Sequence, residues 1–362
     1  MLGHDMRAMK TLAAIVAVAG TLGSATQAAA QDACHLTTSS RIVAVGDVHG
    51  AYDRFVGILT TASLIDENQR WIGGAAVLVQ TGDVVDRGPD SRRALDLIRT
   101  LEREAEAAGG QVHLLLGNHE VMWMYGITRD ASDAEYAAFR TDESDDVRER
   151  YYRRLESALR RQSAVAGQPF DADTFRDRFF DDTPLGAVEM RAAFSPDGEY
   201  GRWLLAHNTM IKINDIVFMH AGTSPEIASL GCAGINEAVR AEIKRGAPDD
   251  DALSLSPTGP LWYRDLMLQP EGTFRDSVDD ILDALDARAM VIGHTTSATG
   301  RVLTRFERRI VEIDTGMLGG RFYTRGRPSA LEIDRDVMTV IYEDRRERLG
   351  ALPAGRDRAV AP

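Results

Sequence analysis

The stretch "VAVGDVHGAYD", residues 43–53, passes without a break from an apolar run into an aspartate, a histidine and a glycine. Four consecutive apolar or small residues read as a strand buried on both faces. Asp47 and His49 stand two residues apart, so near a strand end both can point to one side. The same pattern returns twice. A strand over Ala75–Gln80 leads into "GDVVDRG" (82–88), and one over Val112–Leu116 leads into "GNHE" (117–120). Helical segments fall between them, from Tyr52 to about Ser63 and from Pro89 to about Ala108, the second opened by a proline and closed by Gly109-Gly110. A β-α-β-α-β order with continuous apolar strands predicts a parallel sheet covered by helices, with a ligand site in the loops at the strands' carboxyl ends.

The remainder is organised differently. Residues 121–205 are polar, charged and helical in pattern, as in "DDVRERYYRRLESALRRQ" (145–162), and read as an insertion or cap. "MIKINDIVFMHAG" (210–222) predicts a hairpin turning at Asn214-Asp215. "RVLTRFERRIVEIDTG" (301–316) and "ALEIDRDVMTVIYED" (330–344) predict two more, together forming a second, mixed or antiparallel sheet. The fold class is α/β, with a catalytic domain over 31–345 and a disordered tail over 346–362.

Residues 1–30 have the composition of a cleavable secretory leader. Arg7 and Lys10 precede an apolar run from Leu12 to Leu22, and Ala28-Ala29-Ala30 offers a cleavage site after Ala30. A periplasmic or secreted location follows, without stable membrane insertion. The net charge is −13, and becomes −14 once Asp5, Arg7 and Lys10 are removed, which disfavours nucleic acid as a partner. Two cysteines, Cys34 and Cys232, enter what would be an oxidising compartment. Spacing leaves open whether they form a bridge or stay as two thiols.

Two later histidines also follow apolar runs, His220 in "IVFMHAG" and His294 in "MVIGHT". With Asp47, His49, Asp83 and Asn118 they make a set of nitrogen and oxygen donors without thiolate. Such a set suits manganese or iron, with zinc also admitted, better than calcium or magnesium. Six donors exceed what one tetrahedral zinc takes and fit two open-sided ions sharing the Asp83 carboxylate. Two dications against two carboxylates leave a positive centre suited to a phosphoryl group.

At these residues the sequence resembles the metal-dependent phosphoprotein phosphatases of the calcineurin-like metallophosphoesterase superfamily, over roughly residues 41–320. The resemblance implies two packed mixed sheets flanked by helices, and makes Asp47, His49, Asp83, Asn118, His220 and His294 ligands of a dinuclear centre. "LGNHE" lacks the arginine that eukaryotic serine/threonine enzymes carry before the glycine, and their "SAPNY" signature is missing. "GPLWYRD", "HNTMIKINDIVFMHAG" and "VIGHTTS" are instead similar to the bacterial-type Shewanella-like protein phosphatases. "IDTGMLGG" also resembles bacterial diadenosine tetraphosphate hydrolases, which keeps dinucleotide polyphosphate hydrolysis as the alternative activity.

The expected reaction is hydrolysis of a phosphomonoester, on a phosphoprotein (Ser/Thr or Tyr) or a small molecule, by a hydroxide held between the ions. His119 would protonate the leaving group, Asp86 would hold His119 cationic, and Arg87 and Arg264 would clamp the phosphoryl oxygens. Glu120 reads as loop support. His35, His113 and His207 read as structural, although His207 opens the hairpin that delivers His220 and could stand behind the ligands. Tyr151 and Tyr152 lie on a charged helix that is either a solvated face or a substrate-recognising lip. A catalytically dead phosphate-binding module is the reading from another class, and the full ligand set speaks against it.

Overall fold

The structure, a computed structural model, describes residues 34–246 and 251–354; the expected leader lies outside the described residues. Two six-stranded mixed sheets face each other. The first contains β2 (Ile42–Val45), β3 (Val77–Gln80) and β4 (Gln111–Leu114) in parallel, and β10 (Ser329–Asp334), β11 (Val337–Tyr342) and β12 (Arg346–Ala351), in the order β12-β11-β10-β2-β3-β4. The second is ordered β1-β5-β6-β7-β9-β8, from β1 (His35–Leu36), β5 (Met210–Ile213), β6 (Ile216–Met219), β7 (Ala289–Ile292), β8 (Leu303–Arg305) and β9 (Ile310–Glu312).

Period-two alternation explains why these strands are apolar throughout. Ile42 and Ala44 of β2 meet Ile211, Phe218 and Val291 of the other sheet. Val43 and Val45 point the opposite way, into a layer with Phe55, Ile58 and Leu59 of α1 (Tyr52–Thr61) and Leu95, Ile98 and Leu101 of α2 (Ser91–Ala107). On the far side Val217, Met219 and Ile292 pack against α10 (Gly231–Arg245) and α12 (Glu271–Ala284). Helix α2 begins two residues beyond Pro89, at Ser91, and its Ala94, Ile98, Leu101 and Ala105 form the buried stripe. The chain leaves it through Gly109, at φ 79°, a conformation that glycine adopts without cost.

Between β4 and β5 run six helices: α3 (Asn118–Met124), α4 (Asp133–Ala137), α5 (Ser144–Ala166), α6 (Ala172–Asp182), α7 (Ala187–Phe194) and α8 (Glu199–Leu204). Tyr152 is buried against Phe175, Phe179 and Phe180 of α6, and Tyr151 leans on Phe179. These tyrosines therefore hold α5 to α6 and do not form a lip over the strand ends. Two short helices, α9 (Pro225–Ala228) and α11 (Asp265–Leu268), complete the set among the described residues, none of which is long and apolar enough to cross a membrane.

Two expectations are corrected. The 330–344 hairpin joins the first sheet, where Leu331 pairs with Ala44, because β10 adds antiparallel to the free side of β2. The tail is not disordered from 346. Arg346–Ala351 forms β12 on β11, an edge strand whose charged residues pair outward, Arg346 with Glu332 and Glu347 with Arg301.

Cys34 and Cys232 form a disulfide across a sequence separation of 198 residues, fastening the entry to β1 onto α10. Closing so long a loop restricts the unfolded chain. The double variant Cys34→Ser/Cys232→Ser is expected to lose roughly 2–4 kcal/mol of unfolding free energy, read from urea titrations; an unchanged midpoint would contradict a stabilising bridge.

Candidate dinuclear metal centre

The carboxyl ends of five strands deliver the site. Asp47 and His49 follow β2, Asp83 follows β3, and Asn118 opens α3 just beyond β4. His220 follows β6 and His294 follows β7. All six are buried, His294 being the most exposed at 6%. The backbone here is unusual: φ is 47° at His49, 56° at Asp83, 73° at Asp86, 72° at Arg87 and 67° at His294. Each such residue costs roughly 1–3 kcal/mol and persists only where the surroundings over-determine it.

Glu120 supplies that constraint. Its buried carboxylate accepts the backbone N–H of Asp83 at 2.8 Å, Val84 at 2.7 Å and Gly117 at 2.9 Å, stitching the second loop to the third. The carbonyl of Asp83 accepts the N–H groups of Val48 and His49, each at 2.9 Å, which ties in the first loop. Gly82, at φ 95°, lies so close to the third loop that a Cβ would come within 2.5 Å of the Gly117 nitrogen.

One oxygen of each aspartate is occupied by backbone. Asp47 Oδ1 accepts His294 N–H at 3.2 Å and Asp83 Oδ1 accepts His119 N–H at 3.0 Å. The other oxygens are left to the centre. Asp83 Oδ2 lies 3.4 Å from His220 Nε2 on one side and 3.7 Å from His49 Nε2 on the other, while Asp47 Oδ2 is 3.8 Å from His49 Nε2. Around His220 Nε2 stand Asn118 Oδ1 at 2.9 Å and His294 Nδ1 at 3.1 Å.

The tautomers are set from behind. His220 Nδ1 donates to Thr81 O at 3.0 Å and His49 Nδ1 to Val85 O at 2.9 Å, so their Nε2 lone pairs face inward. Lone pairs thus converge at two points sharing Asp83, with spacings that suit cation ligands. Of two overlapping groups, one joins Asp83 to His220 and His294 and the other joins it to His49 and His119. With Asn118 Oδ1 2.9 Å from His220 Nε2 and Asp47 Oδ2 3.8 Å from His49 Nε2, this donor set would hold a pair of cations.

The electrostatics agree. Burial pushes the Asp47 carboxyl well up, and Asp314 adds to it. Burial acts the same way on Asp83, yet His220, His119 and His49 outweigh it and hold that carboxyl well below its usual range. Burial would lower His220, but Asp83 and Asp47 raise it to about 9, so a proton competes with a cation there. His49 and His294 are driven down by burial, with Arg87 and Arg264 respectively adding to the effect, and stay neutral.

Beside Asp83 lies a second group. His119 Nδ1 donates to Asp86 Oδ2 at 2.5 Å, and Trp123 Nε1 donates to Asp86 Oδ1 at 2.6 Å. Burial would lower His119, but the Asp83 and Asp86 carboxylates raise it; burial also pushes Asp86 up, so the pair keeps its proton. His119 Nε2 faces Asp83 Oδ2 at 3.8 Å and Arg87 Nη2 at 3.0 Å. The other Arg87 nitrogen reaches both His49 Nε2 and the Tyr323 hydroxyl. Arg264 is anchored on His294 O at 3.0 Å. A cavity of about 290 Å³ opens here, with Arg129, Trp262 and Tyr323 joining these residues in its wall.

The structure thus brings together all ten residues singled out in the sequence. His207 does not join them: its Nε2 pairs with Glu102 at 2.6 Å and its Nδ1 with Trp203 O at 2.7 Å. Trp123, Arg129, Trp262 and Tyr323 went unread. Trp123 carries a usable signal, since it lies four residues after His119, one turn along the same helix. Asp83→Asn, which weakens the shared ligand, is expected to lower bound manganese from two ions per chain to one or none, in keeping with the two overlapping ligand groups; retention of both after dialysis would contradict a bridging role.

Known proteins bear on this arrangement. The family model for calcineurin-like phosphoesterases matches residues 40–297. The chain is 31% identical over 314 residues to Shewanella-like protein phosphatase 2 of Arabidopsis thaliana, covering 82% of this chain and 75% of that protein. The crystal structure of a cold-active protein-tyrosine phosphatase from a psychrophilic Shewanella species superposes with a TM-score of 0.66 at 27% identity, covering 87% of this chain and 82% of that one. A symmetrical bis(5'-nucleosyl)-tetraphosphatase of Cronobacter sakazakii is 36% identical, but over 77 residues, 21% of this chain and 22% of that protein. Motifs, sheet order and these matches together place the chain in the calcineurin-like phosphoesterase family, whose members bind two metal ions, among the Shewanella-like protein phosphatases.

Proposed function

We propose that this metal-dependent phosphatase removes single phosphoryl groups from phosphoproteins, outside the cytoplasm, with manganese or iron as its ions and zinc as a further candidate. The observation that carries the reading is the His119–Asp86 pair, set 3.8 Å from the shared Asp83 oxygen inside a cavity walled by arginines.

When bound, the two cations activate a water and draw charge from the phosphoryl oxygens. The chain's own groups do the rest. Arg87 and Arg264, with Arg129 at the rim, hold the non-bridging oxygens, a task that suits planar guanidinium donors. His119 delivers a proton from Nε2 to the departing alkoxide or phenolate. Asp86 fixes the opposite nitrogen, and Trp123 fixes Asp86 in turn, so the imidazole is aimed before substrate arrives.

The extent of the matches favours a monoester. The cavity of about 290 Å³ seats a phosphoryl group and the atoms next to it, and the likeness to a bis(5'-nucleosyl)-tetraphosphatase spans 21% of this chain, against 82% for the protein phosphatase relative. Export is supported by the leader-like composition of residues 1–30 and by the Cys34–Cys232 bridge, which persists in oxidising compartments.

With manganese present, phosphopeptides and p-nitrophenyl phosphate are expected to turn over faster than diadenosine tetraphosphate; dominance of the nucleotide would overturn the proposal. His119→Asn is expected to lose about 10²–10⁴-fold in kcat on phosphoserine peptides and much less on p-nitrophenyl phosphate, whose leaving group needs little protonation. Equal losses on both substrates would rule out proton donation.

A further inference from the structure

A second cavity, of about 800 Å³, runs along the outer edge of the first sheet, away from the metal centre. Its floor is β4, the last strand of that sheet, and its walls come from α2 and α10. Among the described residues β4 pairs with β3 on one side only, apart from a single bridge between Leu115 and Asn208. Gln111 N–H donates to Ala76 O at 3.1 Å and Leu115 N–H to Gln80 O at 2.8 Å, so alternate amides face β3. The amides between them, at Val112 and Leu114, face the groove. The next in that outward row, Leu116 N–H, already meets backbone, donating to Asn208 O at 2.9 Å.

Edge strands are commonly shielded by prolines, bulges or charged side chains, and Gln111-Val112-His113-Leu114 has none of these. The strand is instead recessed, so the groove admits one extended chain more readily than a second sheet. The chemistry of its walls is acidic. Glu106 and Glu237 are exposed on opposite sides, and neither joins an ion pair among the described residues. Glu102 accepts from His207 and from Trp203 Nε1. Arg240, the one arginine in the lining, is spent on Leu205 O, His207 O and Asn208 Oδ1. Antiparallel pairing of two copies through β4 would bring their glutamates together, which disfavours a dimer at this edge.

We infer that the groove docks an extended segment of a partner protein, alternating basic and apolar residues, which adds to β4 as a further strand and sets its lysines or arginines against Glu106 and Glu237. Strand β4 continues through Leu116-Gly117 into Asn118 and His119, so a docked chain is tethered beside the catalytic end of the sheet. Tethering raises the local concentration of a phosphorylated target without touching the chemistry.

The test titrates fluorescein-labelled Lys-Val-Lys-Val-Lys-Val and Glu-Val-Glu-Val-Glu-Val with the full chain loaded with manganese, reading anisotropy. The lysine peptide is expected to bind saturably and the glutamate peptide not to bind. Glu106→Lys/Glu237→Lys is expected to weaken binding roughly tenfold or more, with p-nitrophenyl phosphate turnover unchanged. Val112→Pro, which removes an outward amide and no ladder bond, and a lysine peptide methylated on alternate backbone nitrogens are both expected to abolish binding. Absence of saturable binding, equal binding of the glutamate peptide, indifference to the charge reversal, or dimerisation in sedimentation that Val112→Pro abolishes would each overturn the inference. Because binding is read directly, its failure is distinct from failure of the phosphatase reading.

Discussion

Buried lone pairs that converge on one carboxylate oxygen need a positive charge among them. Asp83 Oδ2 is flanked by His220 Nε2 at 3.4 Å and His49 Nε2 at 3.7 Å, and both rings turn these nitrogens toward it because backbone carbonyls hold the opposite ones. Uncompensated burial of such groups is expensive, and bound cations held by Asp83 and its neighbours would relieve it. The strand order, the loop stitching and the arginines around the cavity all serve to keep this cluster together.

The means are largely backbone ones. Loops after β2, β3 and β7 hold residues in the left-handed region, and the loops after β2, β3 and β4 are tied together through backbone amides, with the Glu120 carboxylate at their junction. Burial pushes Glu120 up, Asp83 adds to this, and the amide hydrogen bonds oppose it. Strain and desolvation at the loops are offset by three apolar layers, one between the sheets and one under each set of helices. A rigid floor of this kind suits catalysis by prepositioned charge, in which little needs to move when the phosphoryl group arrives.

The two cavities divide the work differently. The smaller one is walled by guanidinium and imidazole groups and suits an anion; the larger is bordered by glutamates and an unpaired strand edge and suits a cationic chain. Since β4 borders the second and runs into the first, recognition of a protein and hydrolysis of its phosphate meet on one strand.

The three strand-end motifs were legible in sequence because a buried parallel strand shows itself as an apolar run and its ligands stand within a few residues of its end. His220 and His294 were legible for the same reason. The pairing of His119 with Asp86 could also be foreseen, since each stands within three residues of a ligand at neighbouring strand ends. Trp123 left a trace, one helical turn beyond His119, but Arg129, Trp262 and Tyr323 could not be foreseen, for each is defined only by what it faces. The same holds for β10 and β11, whose alternation announced a hairpin but not the sheet it would join, and for β12, whose arginines looked like a disordered tail until paired. Local pattern reports which residues are buried and which elements form, because those depend on near neighbours. Partner strands, the disulfide, the donors behind each ligand and the recessed edge of β4 depend on contacts between distant segments, and only the folded chain decided them.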